Sequence, residues 1–151
     1  MGETMNDAGV LVAIRDPEHV DALVKLACQM AKGTGAELTV LNVVEVAPAL
    51  PLDADSDLLD RPGKDALERA GKVAWDAFAI KVRTRLARAR DAGAAIVDEA
   101  RDQQADLLVL GYHGKHGLGE ILLGSTVQYV AAHAPCRVIV HIIPAPTKAK
   151  S

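Results

Sequence analysis

Cysteine and aromatic side chains are nearly missing from this sequence. Two cysteines, Cys28 and Cys136, in 151 residues exclude a disulfide-built scaffold. Cys28 falls on an apolar helical face and Cys136 sits just before a strand, so both read as small core residues in a reducing compartment. Aromatic residues make up only 3% of a chain that is 50% hydrophobic, so Ala, Val, Leu and Ile must build the core. Such a core suits parallel strands lying under helices. An excess of positive charge is absent too. The formal net charge of −3 leaves no footprint for nucleic acid. Arginines cluster between Arg83 and Arg90, but acidic residues follow them and the run reads as a solvated strand edge. No apolar run reaches the roughly 18 residues of a membrane helix, which argues against membrane insertion. The segment Met1–Asp7 lacks the basic and apolar parts of a signal peptide. Gly2 opens a superficial myristoylation match, with Asn6 where Ser or Thr is required. The expectation is a soluble, cytoplasmic protein.

The length suits one compact domain. Residues 1–8 are expected to be a flexible N-terminus, 9–144 the domain and 145–151 a disordered tail. Val10–Ile14 is a short, wholly apolar run of the kind that fills a doubly covered strand. Asp16 and Pro17 make a helix start, and Val20, Leu23, Val24, Ala27 and Ala31 recur at helical spacing until Gly33 and Gly35. Residues 37–44 read as a second strand. Three prolines and several aspartates make residues 45–63 a long irregular crossover, a kind of segment that is usually functional or mobile. Leu67, Ala70, Ala74 and Ala77 give the next helix its stripe, with Trp75 and Phe78 alongside. Residues 80–86 alternate with period two, as an edge strand with one wet face does. Asp91 caps a helix carrying Ala92, Ala95, Ile96 and Ala100. Residues 107–110 form the fourth strand. A helix from Gly124 to His133 stops before Pro135, and residues 138–143 form the fifth strand. This alternation predicts an α/β fold with a parallel sheet covered on both faces.

In an open parallel sheet, ligands collect beyond the carboxyl ends of the strands. The loop after the fourth strand, Gly111–Thr126, carries the chemistry. Gly111 is expected to turn the chain sharply off the strand, and Gly114 to let backbone approach a ligand. Gly124, Ser125 and Thr126 open a helix whose unpaired N–H groups and positive dipole end favour an anion. Taken singly, these are ordinary punctuation. The run is neither a Walker P-loop, since Lys115 is not followed by Ser or Thr, nor a Rossmann fingerprint, which belongs after the first strand. His113 and His116 stand three apart with no third ligand evident, so phosphate contact or solvent exposure outweighs metal ligation.

The full spacing is Gly111, two residues, Gly114, nine residues, then Gly124-Ser125. It resembles the ATP-binding signature of the universal stress protein family. The flanks agree through Ala105–Gly111, Glu120–Ser125, Ala134–Val140, Val10–Ile14 and Gly35–Val43, and the resemblance spans roughly residues 9–143. It implies a five-stranded parallel sheet in the order 3-2-1-4-5 with helices on both faces, like the adenine nucleotide alpha hydrolases. It also implies a nucleotide, ATP or else AMP or ADP, lying across the crevice between the first and fourth strands. The triphosphate would rest on Gly114, Gly124, Ser125 and Thr126 near His113. The ribose would approach Gly111, beside Leu110, and the adenine would lie near Ala13, Ile14 and Val43. Mg²⁺ or Mn²⁺ would arrive with the phosphates.

The family usually has an aspartate immediately after the first strand. Here Arg15 holds that place and Asp16 follows it, a run similar to stress-protein domains associated with membrane transporters. Arginine cannot accept a hydrogen bond from a ribose hydroxyl, but it can supply charge to a phosphate or pair with Asp16. The resemblance further implies a homodimer through the strand Arg137–Ile143, with Val138, Val140 and Ile142 at or near the seam. Three functions compete: a nucleotide-dependent regulatory dimer, a slow ATPase with His113 as its only candidate base, and a nucleotide-free module partnering a membrane transporter.

Overall fold

The computed structural model describes residues 9–15, 19–113 and 124–143. The expectations of a flexible 1–8, of a helix start at Asp16 and Pro17, of a disordered 145–151 and of a cradle at Gly114 lie outside these residues. Five strands form one parallel sheet in the order β3-β2-β1-β4-β5, as the fold reading requires. They are β1 (Gly9–Ile14), β2 (Glu37–Glu45), β3 (Arg83–Ala89), β4 (Leu107–His113) and β5 (Arg137–Ile143). Four helices connect them: α1 (Val20–Ala31), α2 (Asp57–Phe78), α3 (Ala92–Asp102) and α4 (Ser125–His133).

Period-two alternation along β1 divides the core. Val10, Val12 and Ile14 pack with the α1 and α2 layer, whereas Leu11 and Ala13 pack with the α3 and α4 layer. The α1 stripe expected from spacing is buried throughout, joined by Cys28. Both cysteines are free, and burial pushes both thiols up from their ordinary pKa. Gly33 and Gly35 follow α1 with φ of +82° and +75°, where a Cβ would be strained.

Several boundaries differ from the sequence expectations. The crossover ends early, because α2 begins at Asp57 and carries Pro62 inside it. Ser56 caps the helix by accepting from the Leu59 N–H at 3.3 Å, and Asp57 and Asp60 sit against its positive dipole end. These contacts offset the one backbone bond that Pro62 cannot make. In the α2 stripe Val73 is buried, whereas Ala77 and Trp75 are exposed. The edge strand starts at Arg83 rather than at residue 80, because the chain is still unwinding from α2. Ala79 is left-handed at φ 55°, donating to Trp75 O at 2.9 Å, and Ile80 donates back to Ala74 O at 3.2 Å. The strand then continues to Ala89 in register with Glu45. β4 likewise extends beyond residue 110 to His113.

The arginines of β3, and Arg90 just after it, are not simply solvated. Arg88 binds the Asp60 carboxylate with two bonds, at 3.1 and 2.7 Å, and donates to the carbonyls of Leu52 and Ala54. Arg90 donates to the carbonyls of Val46, Ala47 and Leu50 at 3.3, 2.6 and 2.7 Å. Two guanidinium groups thus hold much of the crossover by its backbone oxygens. Arg85 pairs with Glu99 of α3, which is buried.

α2 lies close to the sheet at Gly63. A Cβ there would stand 2.4 Å from Asn42 Oδ1 and 2.7 Å from Leu86 Cδ1. Gly63→Ala gains about 1 kcal/mol of helix propensity but overpacks the buried Asn42 and the half-buried Leu86. The expected net result is a loss of roughly 1–3 kcal/mol, read as a lower urea midpoint with unchanged slope. An unchanged or raised midpoint would show that α2 has room to move away.

The hydrogen-bonded Arg88 guanidinium holds the Asp60 carboxyl below its ordinary range. A depressed folded pKa means that this contribution is present above the unfolded value, about 4, and is lost as pH falls through the folded one. Asp60→Asn is therefore less stable than the parent at neutral pH. The gap should close between about pH 5 and about pH 2, measured by urea midpoints at stepped pH. A gap independent of pH would remove the ion pair as its source.

Candidate functional site

β1 and β4 are neighbours, with Ala13 opposite Leu110, but their connections run to opposite sides of the sheet. α1 carries the chain from β1 to β2, and α4 carries it from β4 to β5. The two connections diverge at the carboxyl ends of these strands and leave a crevice there, the general ligand position of this architecture.

One wall is the exit of β1. Ile14 is buried in the α1 and α2 layer, so only its backbone can face a ligand. Ala13 is half-buried, and Arg15 is exposed directly after the strand. The path of this exit is set by Asn42 of β2, a residue that the sequence reading passed over. Its Nδ2 donates to Ile14 O at 3.2 Å and to Arg15 O at 2.9 Å, from a side chain only 3% exposed. The close approach of Gly63 keeps α2 seated against that amide. A lone Asn amid the apolar residues 38–44 was the available signal, since a buried amide must find partners. Val43 follows, half-buried on the α3 and α4 side.

The other wall is the end of β4 and the start of α4. Leu110 is 3% exposed in the core, so like Ile14 it offers backbone alone. Gly111 does not turn the chain: it sits inside β4 in register with His141, and the strand runs two residues further. Its missing side chain serves packing, because a Cβ would stand 3.1 Å from Leu23 Cδ2 of α1. His113 ends the strand; its side chain, like Gly114 and His116, lies outside the described residues.

Gly124 differs in kind. It is the N-cap of α4 with φ −69° and ψ 167°, a conformation open to any residue. Among the described residues a Cβ there would meet only Tyr112 Cε1, at an ordinary 3.8 Å. That proximity also places the start of α4 beside the end of β4. Among the described residues no side chain caps the helix, and its first backbone bond runs from Gln128 N–H to Gly124 O at 3.0 Å. The N–H groups of Ser125, Thr126 and Val127 therefore lack intrahelical partners. The Ser125 and Thr126 hydroxyls make no hydrogen bond among the described residues, and Ser125 is exposed. Three backbone donors, two hydroxyls and a positive dipole end converge on a position that chemistry suits to an anion. Among the described residues no group of His, Cys, Asp and Glu could hold a metal ion, and no helix is long and apolar enough to cross a membrane.

Among the described residues the outer edge of β5 has no neighbouring strand. Val138 and Val140 pack inward on the α3 and α4 layer, whereas Ile142 is 40% exposed.

Comparison with known proteins gives a consistent answer. The model of the universal stress protein family matches residues 9–141. A universal stress protein of Methanocaldococcus jannaschii is 37% identical over 122 residues, covering 77% of this chain and 71% of its own length. The structure of the Archaeoglobus fulgidus universal stress protein in complex with dAMP superposes with a TM-score of 0.71. It is 19% identical, over 90% of this chain and 98% of that one. A universal stress protein in complex with cAMP gives a TM-score of 0.68 at 25% identity, over 90% of this chain and 97% of that one. With a family match over almost its whole described length, supported by these relatives, the chain belongs to the universal stress protein family.

Proposed function

We propose that this protein binds an adenine nucleotide across the β1/β4 crevice and acts as a nucleotide-dependent regulatory dimer. The observation that carries this reading is Gly124. The described residues ask nothing of a glycine there, in backbone angle or in space, yet a side chain would crowd the point where the α4 donors lack intrahelical partners. Phosphate oxygens would accept from the backbone of residues 125–127 and from the hydroxyls of Ser125 and Thr126, with Gly114 and His113 alongside. Two relatives of the same fold hold dAMP and cAMP, which supports the adenine class.

The nucleoside half of the site would use the backbone of Ile14, Leu110 and Gly111, with Ala13 and Val43 around the base. Arg15 cannot accept from a ribose hydroxyl, so its contribution is charge toward the phosphates. ATP best matches the number of donors on the α4 side, with AMP or ADP as the alternatives. Any Mg²⁺ or Mn²⁺ would be held mainly by the phosphates. A homodimer through Arg137–Ile143 would bury the exposed Ile142 and cap an apolar edge. The free donor set is equally able to stabilise charge in a slow hydrolysis, with His113 as base, so turnover is measured alongside binding.

Denaturing the purified protein and identifying released nucleotide tests the reading, followed by incubation of native protein with ATP. Bound adenine nucleotide without turnover is the expected result. Turnover abolished by His113→Ala would make the protein an ATPase, and no affinity at millimolar ATP would leave a nucleotide-free module. Two glycine variants sharpen the site. Gly124→Val should weaken nucleotide binding at least about tenfold while changing stability by no more than about 1 kcal/mol. Gly111→Ala should do the reverse on stability, lowering it by about 1 kcal/mol or more by pressing on Leu23. Unchanged affinity in the Gly124 variant would move the cradle elsewhere.

A further inference from the structure

Arg15 is the first residue past β1, exposed on the β1 wall of the crevice. Among the described residues it makes no ion pair. Asp16, next in sequence, lies outside them. Exposed arginines are common, but this one stands on a fixed base. The buried Asn42 amide holds the carbonyl oxygens of both Ile14 and Arg15, so the backbone that carries the guanidinium is pinned at the strand end. Those two oxygens are thereby engaged on the β2 side of β1, away from β4 and the crevice. The side chains around the nucleoside end supply no other acceptor among the described residues. Ala13 and Val43 are apolar, Leu110 is buried in the core and Gly111 has no side chain. This wall therefore offers a ligand a cation and not a partner for a free hydroxyl.

The start of α4 is a separate place. Ala13 lies opposite Leu110, so Arg15 stands level with Tyr112, one strand spacing of about 4.8 Å away. Leu11 and Ala13 face the α3 and α4 layer, and period two carries Arg15 to that same face. Tyr112 packs on that face too, with its Cε1 3.8 Å from the Cβ position of Gly124. The tyrosine ring thus stands between Arg15 and the α4 donors. Two features that attract anions lie on one face of the sheet, at two walls, with an aromatic ring between them. In doubly wound dinucleotide sites a carboxylate beside the ribose selects a free 2′-hydroxyl, whereas an arginine there accommodates a 2′-phosphate.

We propose that the crevice favours an adenine nucleotide carrying a phosphate on the 2′- or 3′-oxygen of its ribose in addition to its 5′-phosphate. This rests on the nucleotide-binding reading above and names the phosphate that Arg15 addresses. The α4 donors hold the 5′ end, and the guanidinium forms a two-pronged, charge-assisted pair with the ribose phosphate. Arg15 is then the residue that determines specificity at the ribose.

Native protein, freed of bound nucleotide by dialysis, is titrated calorimetrically with AMP, ADP, ATP, adenosine 2′,5′-bisphosphate and adenosine 3′,5′-bisphosphate. ADP controls for charge, because its second phosphate lies at the 5′ end. One of the two bisphosphates should bind at least about tenfold more tightly than AMP, and the isomer that does so identifies the ribose oxygen. In Arg15→Met that advantage should fall below about threefold, and Arg15→Lys should recover part of it. The ratio of ADP to AMP affinity should survive in both variants, whose folding circular dichroism confirms. Bisphosphates that bind no more tightly than AMP overturn the proposal, since the guanidinium is then committed elsewhere, Asp16 included. A loss of the ADP advantage in Arg15→Met overturns it as well, by assigning the cation to the 5′-phosphates, and leaves nucleotide binding standing. No affinity for any of the five nucleotides would overturn the nucleotide-binding reading and this proposal with it.

Discussion

Everything in this molecule follows from the burial of β1 on both faces and along both edges. Val12 and Leu11, adjacent in sequence, are both wholly buried but belong to different layers. A central parallel strand cannot be reached by a tight turn, so each neighbour must return by a crossover helix, and both faces need covering. With β2 on one side of β1 and β4 on the other, the crossovers diverge, and the crevice is a consequence of topology rather than an addition to it. The site is therefore placed by the same aliphatic residues that stabilise the sheet, and its polar equipment is confined to strand ends and one helix start.

The two sheet edges are protected by different physics. β5 presents valine and isoleucine and leaves Ile142 exposed, so only a covering partner such as the proposed second copy would protect it. β3 and the residue that follows it present arginines, and two of these perform a second task. Arg88 and Arg90 reach across to carbonyl oxygens of the crossover, which carries few apolar anchors of its own. Burying or bending a loop strands its backbone acceptors, and guanidinium groups with several donors each are suited to satisfying them. The edge stays charged enough to resist self-pairing while the loop above it is held in one shape.

The aliphatic runs made the sheet legible from residues alone. Val10–Ile14 and residues 107–110 are too apolar for anything but doubly covered strands, and α1 declared its stripe through Val20 to Ala31. Failures came where a contact distant in sequence overrode a local rule. Pro62 was counted into the irregular crossover, but Ser56, three residues before the N–H it caps, and Asp60, bound by Arg88, keep the helix going around it. The start of β3 was misplaced because Ala79 ends α2 in a left-handed turn that sequence preference reserves for glycine. Arg88 and Arg90 read as solvated because nothing local says that their partners are carbonyls some forty residues away. Asn42 was the one site residue announced by chemistry and overlooked, since its partners are on another strand.

The glycines of the signature show why a motif needs dissecting into its members. Gly111 and Gly124 belong to one spacing, and sequence alone assigns both to the ligand. Their surroundings separate them. Gly111 has a strand conformation and a leucine waiting where its Cβ would be, so the fold demands it whether or not a nucleotide binds. Gly63, in no motif at all, is demanded still more strongly by Asn42 and Leu86. Gly124 has permissive angles and open space, so its glycine cannot be explained by packing against the described residues. A residue that the fold does not require, placed at the convergence of unpaired donors, points outward to something the chain receives. That distinction favours α4 as the proposed phosphate end of the crevice on firmer ground than the spacing does, and the proposed nucleoside end depends on how Asn42 holds Ile14 and Arg15.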